Sequence, residues 1–252
     1  MNTIDTILNH RSIRKYKPDP VPENVLNDML NAGIRASNTG NMQVYSMIVT
    51  RDEALRKQLC GFHFGQKMVE QAPVHITFCA DINRFNKWCR MRKAEPGYDN
   101  LLWFVNAAID ALLASQNVCV AAEAHGLGIC YLGTATYNAD KIIELLDIPH
   151  GVIPVAAIVA GYPDDNPPLT DRLPMEAVVH YEKYQDYSNE AISALYAERE
   201  SQEFTKNLLI ENNVETLAQV FTERRYATKD NVFFSEKYLG LLKKQGFLNH
   251  GE

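Results

Sequence analysis

The chain has 252 residues, 46% hydrophobic and 22% charged, enough apolar content for a sizeable core in one large domain or in a domain with an extension. Its net charge of -6 argues against nucleic acid as the main partner, because a phosphate backbone demands a cationic face; a local basic site on an acidic chain suits a small anion better. Five cysteines (Cys60, Cys79, Cys89, Cys119, Cys130) are odd in number, without CxxC or metal-ligand spacing, so reduced thiols in a cytoplasmic protein are the expectation.

The first residues, Met1 to Asp5, lack the basic stretch and apolar core of a signal peptide. Thr3 to Asn9 carries a short helical pattern, and His10-Arg11-Ser12-Ile13-Arg14 follows it. An imidazole, two guanidinium groups and a hydroxyl within five residues suit a phosphate, since charge-assisted and bidentate bonds are the strong ones. The alternative is a solvated basic turn that Lys15 and Lys17 merely continue. Beyond the proline-punctuated loop Lys17 to Pro22, a helix opens at Pro22-Glu23, with Val25, Leu26, Met29, Leu30 and Gly33 on one apolar face. It runs into a polar stretch, Ala36 to Gln43. That stretch is either a plain turn or a set of amides and hydroxyls for a polyhydroxyl chain or a heteroaromatic edge.

Val44 to Thr50 reads as a strand, Arg51 to Cys60 as a helix, and Gly61 to Lys67 as a loop at a pocket. Val74 to Ala80 is a second strand and Asp81 to Ala94 a weakly patterned helix. Tyr98 to His125 is the long central helix, buried and too often interrupted (Asn106, Asp110, Gln116, Asn117, Glu123) to span a membrane. Gly126-Leu127-Gly128 caps it, and Ile129 to Leu132 is a short strand ending at Gly133-Thr134. Ala139 to Leu146 is helical, and the apolar run Val152 to Gly161 is a central strand. Composition breaks at Pro163 to Pro168, an edge strand is possible at Val178 to His180, and the chain is mostly helical from Ser188. Ser235 looks like an N-cap and Gly246 like a helix stop. Apolar residues in this tail are too sparse for a core of its own, so it is expected to pack on the main domain or on a second subunit.

The Walker phosphate loop, the dinucleotide-binding G-x-G-x-x-G, the G-x-S-x-G elbow and H-E-x-x-H are all missing. Gly126-Leu127-Gly128 follows a helix instead of a strand, and no nucleophile–base signature joins the seven histidines and five cysteines. A bound cofactor is therefore expected to carry any chemistry.

Several features recur together in one known family: His10-Arg11-Ser12-Ile13-Arg14, Asn41-x-Gln43, Gly65-Gln66-Lys67, Gly126-Leu127-Gly128-x-x-Tyr131-Leu132-Gly133, Gly161-Tyr162-Pro163 and Arg172-Leu173-Pro174. In order and spacing the chain resembles the nitroreductase family of FMN-dependent oxidoreductases. It is most similar to the branch holding NADPH-preferring, oxygen-insensitive nitroreductases and flavin reductases. The resemblance implies an α+β, nitroreductase-like fold: a central, mostly antiparallel sheet flanked by helices around a long buried helix. An FMN-binding domain at 1–187 would be followed by a helical extension at 188–252.

It also implies roles. His10, Arg11, Ser12 and Arg14 match contacts to the FMN phosphate and ribityl chain, with Arg172 a second phosphate contact. Asn38 and Thr39 match positions near the ribityl chain and ring, and Gln66 a side chain beside the flavin. Tyr131, Leu132, Gly133 and Thr134 match the segment whose backbone lies along the ring. No metal and no catalytic side chain are implied. Hydride would pass by a ping-pong route from NAD(P)H to FMN and on to nitroaromatics, quinones or flavins, in a homodimer with FMN at the interface. A non-catalytic FMN store or carrier is the alternative. Two departures stand out. Thr170, followed by Asp171, replaces a lysine the branch carries, and the tail cations Arg199, Lys206, Arg224, Arg225 and Lys229 do not align with an NADPH-binding pattern. The choice between NADPH and NADH stays open.

Overall fold

The computed structural model describes residues 2–249. Its contacts divide the chain into two compact units, one running to Leu169 and resuming at Glu236, the other spanning Thr170–Ser235. The first unit begins with α1 (Thr3–Leu8), α2 (Glu23–Ile34), β1 (Tyr45–Thr50), α3 (Glu53–Phe62) and α4 (Met68–Gln71). It continues with β2 (Val74–Asp81), α5 (Asn83–Met91), α6 (Leu101–Ala124), β3 (Gly128–Leu132), α7 (Ala139–Leu145) and β4 (Val152–Gly161). Among the described residues these strands form one sheet in the order β1-β2-β4-β3, antiparallel throughout. The two inner strands are buried almost end to end; β4 is accordingly an unbroken apolar run, whereas β2 also buries His75, Thr77 and Asp81. Gly61 and Phe62 belong to α3 and not to a loop. Asp52 caps that helix by accepting from Leu55 N at 2.8 Å, and the break comes later, at the left-handed Phe64-Gly65.

Helix α6 lies against the sheet and α2 with Ala107, Ala111, Ala114, Val118 and Ala122 all fully buried, small residues that let it approach closely. Its opposite side is also apolar but open: Leu102, Val105, Ile109, Leu112 and Leu113 are 43–66% exposed. Hydropathy alone reads this helix as buried all round, because both sides are apolar, the packed one small and the open one large.

The segment after α1 extends the sheet beyond β3. Ser12 bridges Ile129 in parallel, Ile13 N donates to Ile129 O at 2.9 Å, and Tyr16 bridges Pro163. Two glycines make that approach possible. A Cβ on Gly128 would stand 2.5 Å from Ile13 Cγ1, and one on Gly161 would stand 2.5 Å from Pro73 Cδ and 3.1 Å from Tyr16 Cδ1. The chain's last described stretch belongs to this unit as well. Tyr238 Oη donates to Pro154 O at 3.0 Å, Lys237 pairs with Asp140 at 2.8 Å, and Phe247 is buried against Phe104. All five cysteines are buried and free.

The second unit holds α8 (Asn189–Ser201), α9 (Glu203–Asn212), α10 (Leu217–Gln219), a π-helical turn at Val220–Arg225 and the start of α11 (Thr228–Lys244). Leu208, Leu217 and Val220, with Leu209 and Val214, give it a small apolar cluster. The expected edge strand at Val178 to His180 does not form. The backbone N–H groups of Val178 and Val179 both turn back to Met175 O, at 3.1 and 2.9 Å, behind the 3₁₀ turn Met175–Ala177. Ser235 is not an N-cap either; it lies inside α11, which already starts at Thr228. Gly246 takes the left-handed conformation (φ 82°) just past the end of α11, as a stop signal should.

Candidate functional site

Pairing with β3 fixes where the basic run points. His10 Nδ1 lies 2.6 Å from Glu123 Oε1 near the end of α6, which orients the ring and leaves Nε2 without a partner among the described residues. Burial pushes the Glu123 carboxyl above the usual carboxylate range, against the opposing pull of His10. Arg11 is committed to the loop after β4: Nη1 donates to Asn166 Oδ1 at 2.7 Å and Pro167 O at 3.2 Å, while Nε donates to Asn9 O at 3.3 Å. A cavity of about 390 Å³ lies here, lined by Arg11, Glu123, Gly128, Asp165 and Asn166 among others. Ser12 is half-buried and held by its backbone bridge. Arg14 is exposed, and its guanidinium has no hydrogen bond or ion pair among the described residues. It stands close enough to Cys130 to pull that thiol's pKa down, although burial, the larger effect, raises it.

The polar stretch before β1 is a built turn. Thr39 N and Oγ1 both donate to Asp110 Oδ1, at 2.8 and 3.1 Å, and Asn38 Oδ1 accepts from Gln43 N at 3.3 Å. Gly40, Asn41 and Gln43 have positive φ (56°, 57° and 53°), a tight path that short polar residues and glycine tolerate best. Asp110 is 1% exposed. In the sequence it is visible only as a carboxylate interrupting an apolar helix; its partner comes from a segment seventy residues away.

Around the end of β3 the side chains divide their work. Tyr131 Oη is 2.6 Å from Ser115 Oγ on α6, so this ring is anchored inward and burial raises its pKa. Leu132 is buried. Gly133 is exposed, and a Cβ built on it would meet nothing within 4 Å, so the backbone there faces open space. Thr134 Oγ1 is 2.7 Å from His63 Nδ1 and accepts from Gln66 Nε2 at 3.3 Å; Gln66 Nε2 also donates to His63 O at 3.0 Å. Behind them His63 Nε2 is 3.3 Å from His75 Nε2, with both rings fully buried. Burial pushes His63 down to about 4 and His75 down to about 3, the second helped by the positive charge that His63 and Arg56 would place beside it.

Arg172 lies in the second unit, where its Nη1 donates to Thr170 Oγ1 at 2.7 Å, Asp171 O at 2.9 Å and Thr170 O at 3.2 Å. The Asp171 carboxylate pairs with Arg199 Nε at 2.6 Å.

The fold thus brings His10 to Arg14 alongside β3, joins Gln66 to Thr134 through His63, and hangs Asn38 and Thr39 on Asp110. Arg172 sits in a separate local network. Glu123, Asp110, His63 and His75 were not singled out in the sequence. His63 carries a signal as part of the glycine- and aromatic-rich loop before β2, and Asp110 and Glu123 show only as carboxylates interrupting an apolar helix. Chemically, the arrangement offers an anion the Arg14 guanidinium and His10 Nε2, both without a partner among the described residues, with the Ser12 hydroxyl beside Cys130, and offers a flat ring the open backbone surface at Gly133.

Comparison with known proteins agrees on one relationship. The Nitroreductase family profile matches residues 7–162. The chain is 36% identical to the oxygen-insensitive NADPH nitroreductase of Salmonella typhimurium over 78% of its own length and 80% of that protein's. It is 32% identical to an FMN reductase [NAD(P)H] of Bacillus subtilis over 97% of both chains. A Bacteroides fragilis protein of known structure superposes with a TM-score of 0.95 at 50% identity, covering 97% of this chain and 100% of that one. With a matching fold, a matching profile over more than half its length and relatives aligned across nearly all of it, the chain belongs to the Nitroreductase family.

Proposed function

We propose that the chain is an FMN-dependent NAD(P)H oxidoreductase of the nitroreductase and flavin reductase type. One observation carries the reading most: the run His10 to Arg14 is stitched to β3, beside the segment that ends at the open Gly133, and its Arg14 guanidinium has no partner among the described residues. That arrangement fits a ligand with a phosphate at one end and a flat ring at the other. Arg14, Ser12 and His10 Nε2 would hold the phosphate by charge-assisted bonds. Thr39, fixed by Asp110, and Gln66 would orient the ribityl chain and ring edge. When bound, FMN supplies the hydride chemistry; the chain supplies orientation, positive charge and exclusion of competing reactions.

A ping-pong order fits the open space at Gly133, which nicotinamide and acceptor would occupy in turn. The activities of the Salmonella and Bacillus relatives support nitroaromatics and flavins as acceptors, with quinones of similar shape. The open apolar side of α6 supports a homodimer: five large aliphatic residues in one stripe are more than an isolated chain leaves in water without cause. Residues 1–187 would form the flavin-binding part and 188–252 a helical extension, with the protein working among the reduced thiols of a cytoplasm.

The test is spectroscopic. The purified protein should be yellow or turn yellow with added FMN, and NADH or NADPH should bleach the band near about 450 nm. A preparation that stays colourless in excess FMN would end the reading, and a flavin that neither nucleotide bleaches would reduce it to FMN binding alone.

A further inference from the structure

The buried pair His75 and His63, linked to Thr134, has no task in the reading above, yet its geometry leaves only one economical placement of protons. His63 and His75 face each other through their Nε2 atoms at 3.3 Å, so one of those nitrogens carries a hydrogen and the other accepts it. His75 Nδ1 is buried without a partner. An orphaned N–H in the interior is rarer than an orphaned acceptor, so the hydrogen of His75 belongs on Nε2, pointing at His63. His63, neutral in this burial, then carries its own hydrogen on Nδ1 and donates it to Thr134 Oγ1 at 2.7 Å. Gln66 Nε2 donates to the same oxygen at 3.3 Å. A hydroxyl oxygen has two lone pairs, and both are now used. Thr134 is only part-buried, and its hydroxyl donates to no atom among the described residues.

We infer that His75 and His63 are positioning residues that hold Thr134 as a fixed hydrogen-bond donor, its O–H aimed out of the protein at an acceptor atom on the edge of the bound ring. The inference rests on the FMN reading for the identity of the ring but not for the proton order. Its consequence is selectivity. The site would favour a ligand that presents a carbonyl or bare ring nitrogen at this point over one that presents an N–H.

Two measurements test it. Long-range ¹H–¹⁵N spectra of the ¹⁵N-histidine-labelled protein at pH 7 should show both rings neutral, His63 protonated on Nδ1 and His75 on Nε2. His63 protonated on Nε2 would overturn the proton order. FMN titration should then show about tenfold weaker binding and a shifted flavin absorption band for Thr134→Val, with Thr134→Ser restoring both. Thr134→Val with unchanged affinity and spectrum would overturn the outward donor. Failure of the wild-type protein to bind FMN would instead strike the cofactor reading, while the histidine spectra would still decide the proton order.

Discussion

Ile13 occupies the space that any side chain on Gly128 would need. A Cβ there would stand 2.5 Å from Ile13 Cγ1 and 2.7 Å from its Cβ, distances that cannot be relieved by turning a flexible tip. Two motifs separated by more than a hundred residues are therefore one feature: the glycine exists so that the basic segment can lie flat on β3. Gly128→Ala should lift that segment, lowering stability by about 1–3 kcal/mol, the usual range for overpacking, and weakening FMN retention. Thermal unfolding and flavin content of the purified variant check both. A variant with wild-type melting and full yellow colour would show that the segment is not held there.

Arg14 makes a contrasting case, because its guanidinium has no hydrogen bond or ion pair among the described residues. Arg14→Ala should leave the melting temperature of the flavin-free protein unchanged but weaken FMN binding by about 1.5–3 kcal/mol, the range for a bond to a charged group. Fluorescence titration with FMN and with riboflavin, which lacks the phosphate, separates the causes: the loss should appear for FMN and not for riboflavin.

The two interior histidines set an acid limit on stability. Their native pKa values, about 4 for His63 and about 3 for His75, lie below the ordinary 6.5, so the unfolded chain takes up protons first as pH falls. Their contribution is fully present above about pH 6.5 and drains away as pH drops toward about 4 for His63 and about 3 for His75. Urea unfolding at pH 7.5, 6 and 5 should show this slope, and His75→Gln should flatten it. Stability that rises on acidification from pH 7 to 5 would contradict the burial argument.

The open stripe on α6 predicts an oligomer. Ile109, 48% exposed in the middle of that stripe, should tolerate a charge within the single chain but not within a packed interface. Ile109→Glu should move the sedimentation profile toward monomer while preserving helical circular dichroism. An unchanged profile would place the subunit contact elsewhere.

Much of this architecture could be read before any coordinates, for identifiable reasons. The inner strand β4 announces itself because burial on both faces favours an unbroken apolar run, Val152 to Gly161, while β2 is legible from its β-branched and aromatic residues despite burying His75 and Thr77. The basic run at His10 to Arg14 was visible because the charges are adjacent in the chain. What stayed hidden depends on pairing across long separations: Asp110 with Thr39, Glu123 with His10, and His63 with His75 are each ordinary residues until the fold sets them side by side. Val178 to His180 misled because β-branched residues favour strands only when a neighbouring strand is there to pair with. The aspartate at 171, which looks like an extra negative charge in the sequence, is answered by Arg199 from α8, a pairing that no local pattern announces.

The five thiols of the chain all lie in its interior. Flavin chemistry in air leaks peroxide, and sulfur is what peroxide attacks first, through the thiolate form. Here Cys60, Cys79, Cys89, Cys119 and Cys130 are all withdrawn from solvent, and burial raises the pKa of Cys119 to about 12 and that of Cys60, Cys79 and Cys130 above the ordinary thiol value. The protein thus shelters its five thiols, while the thioethers of Met91 and Met175 stay open to solvent and are where an oxidant would act first.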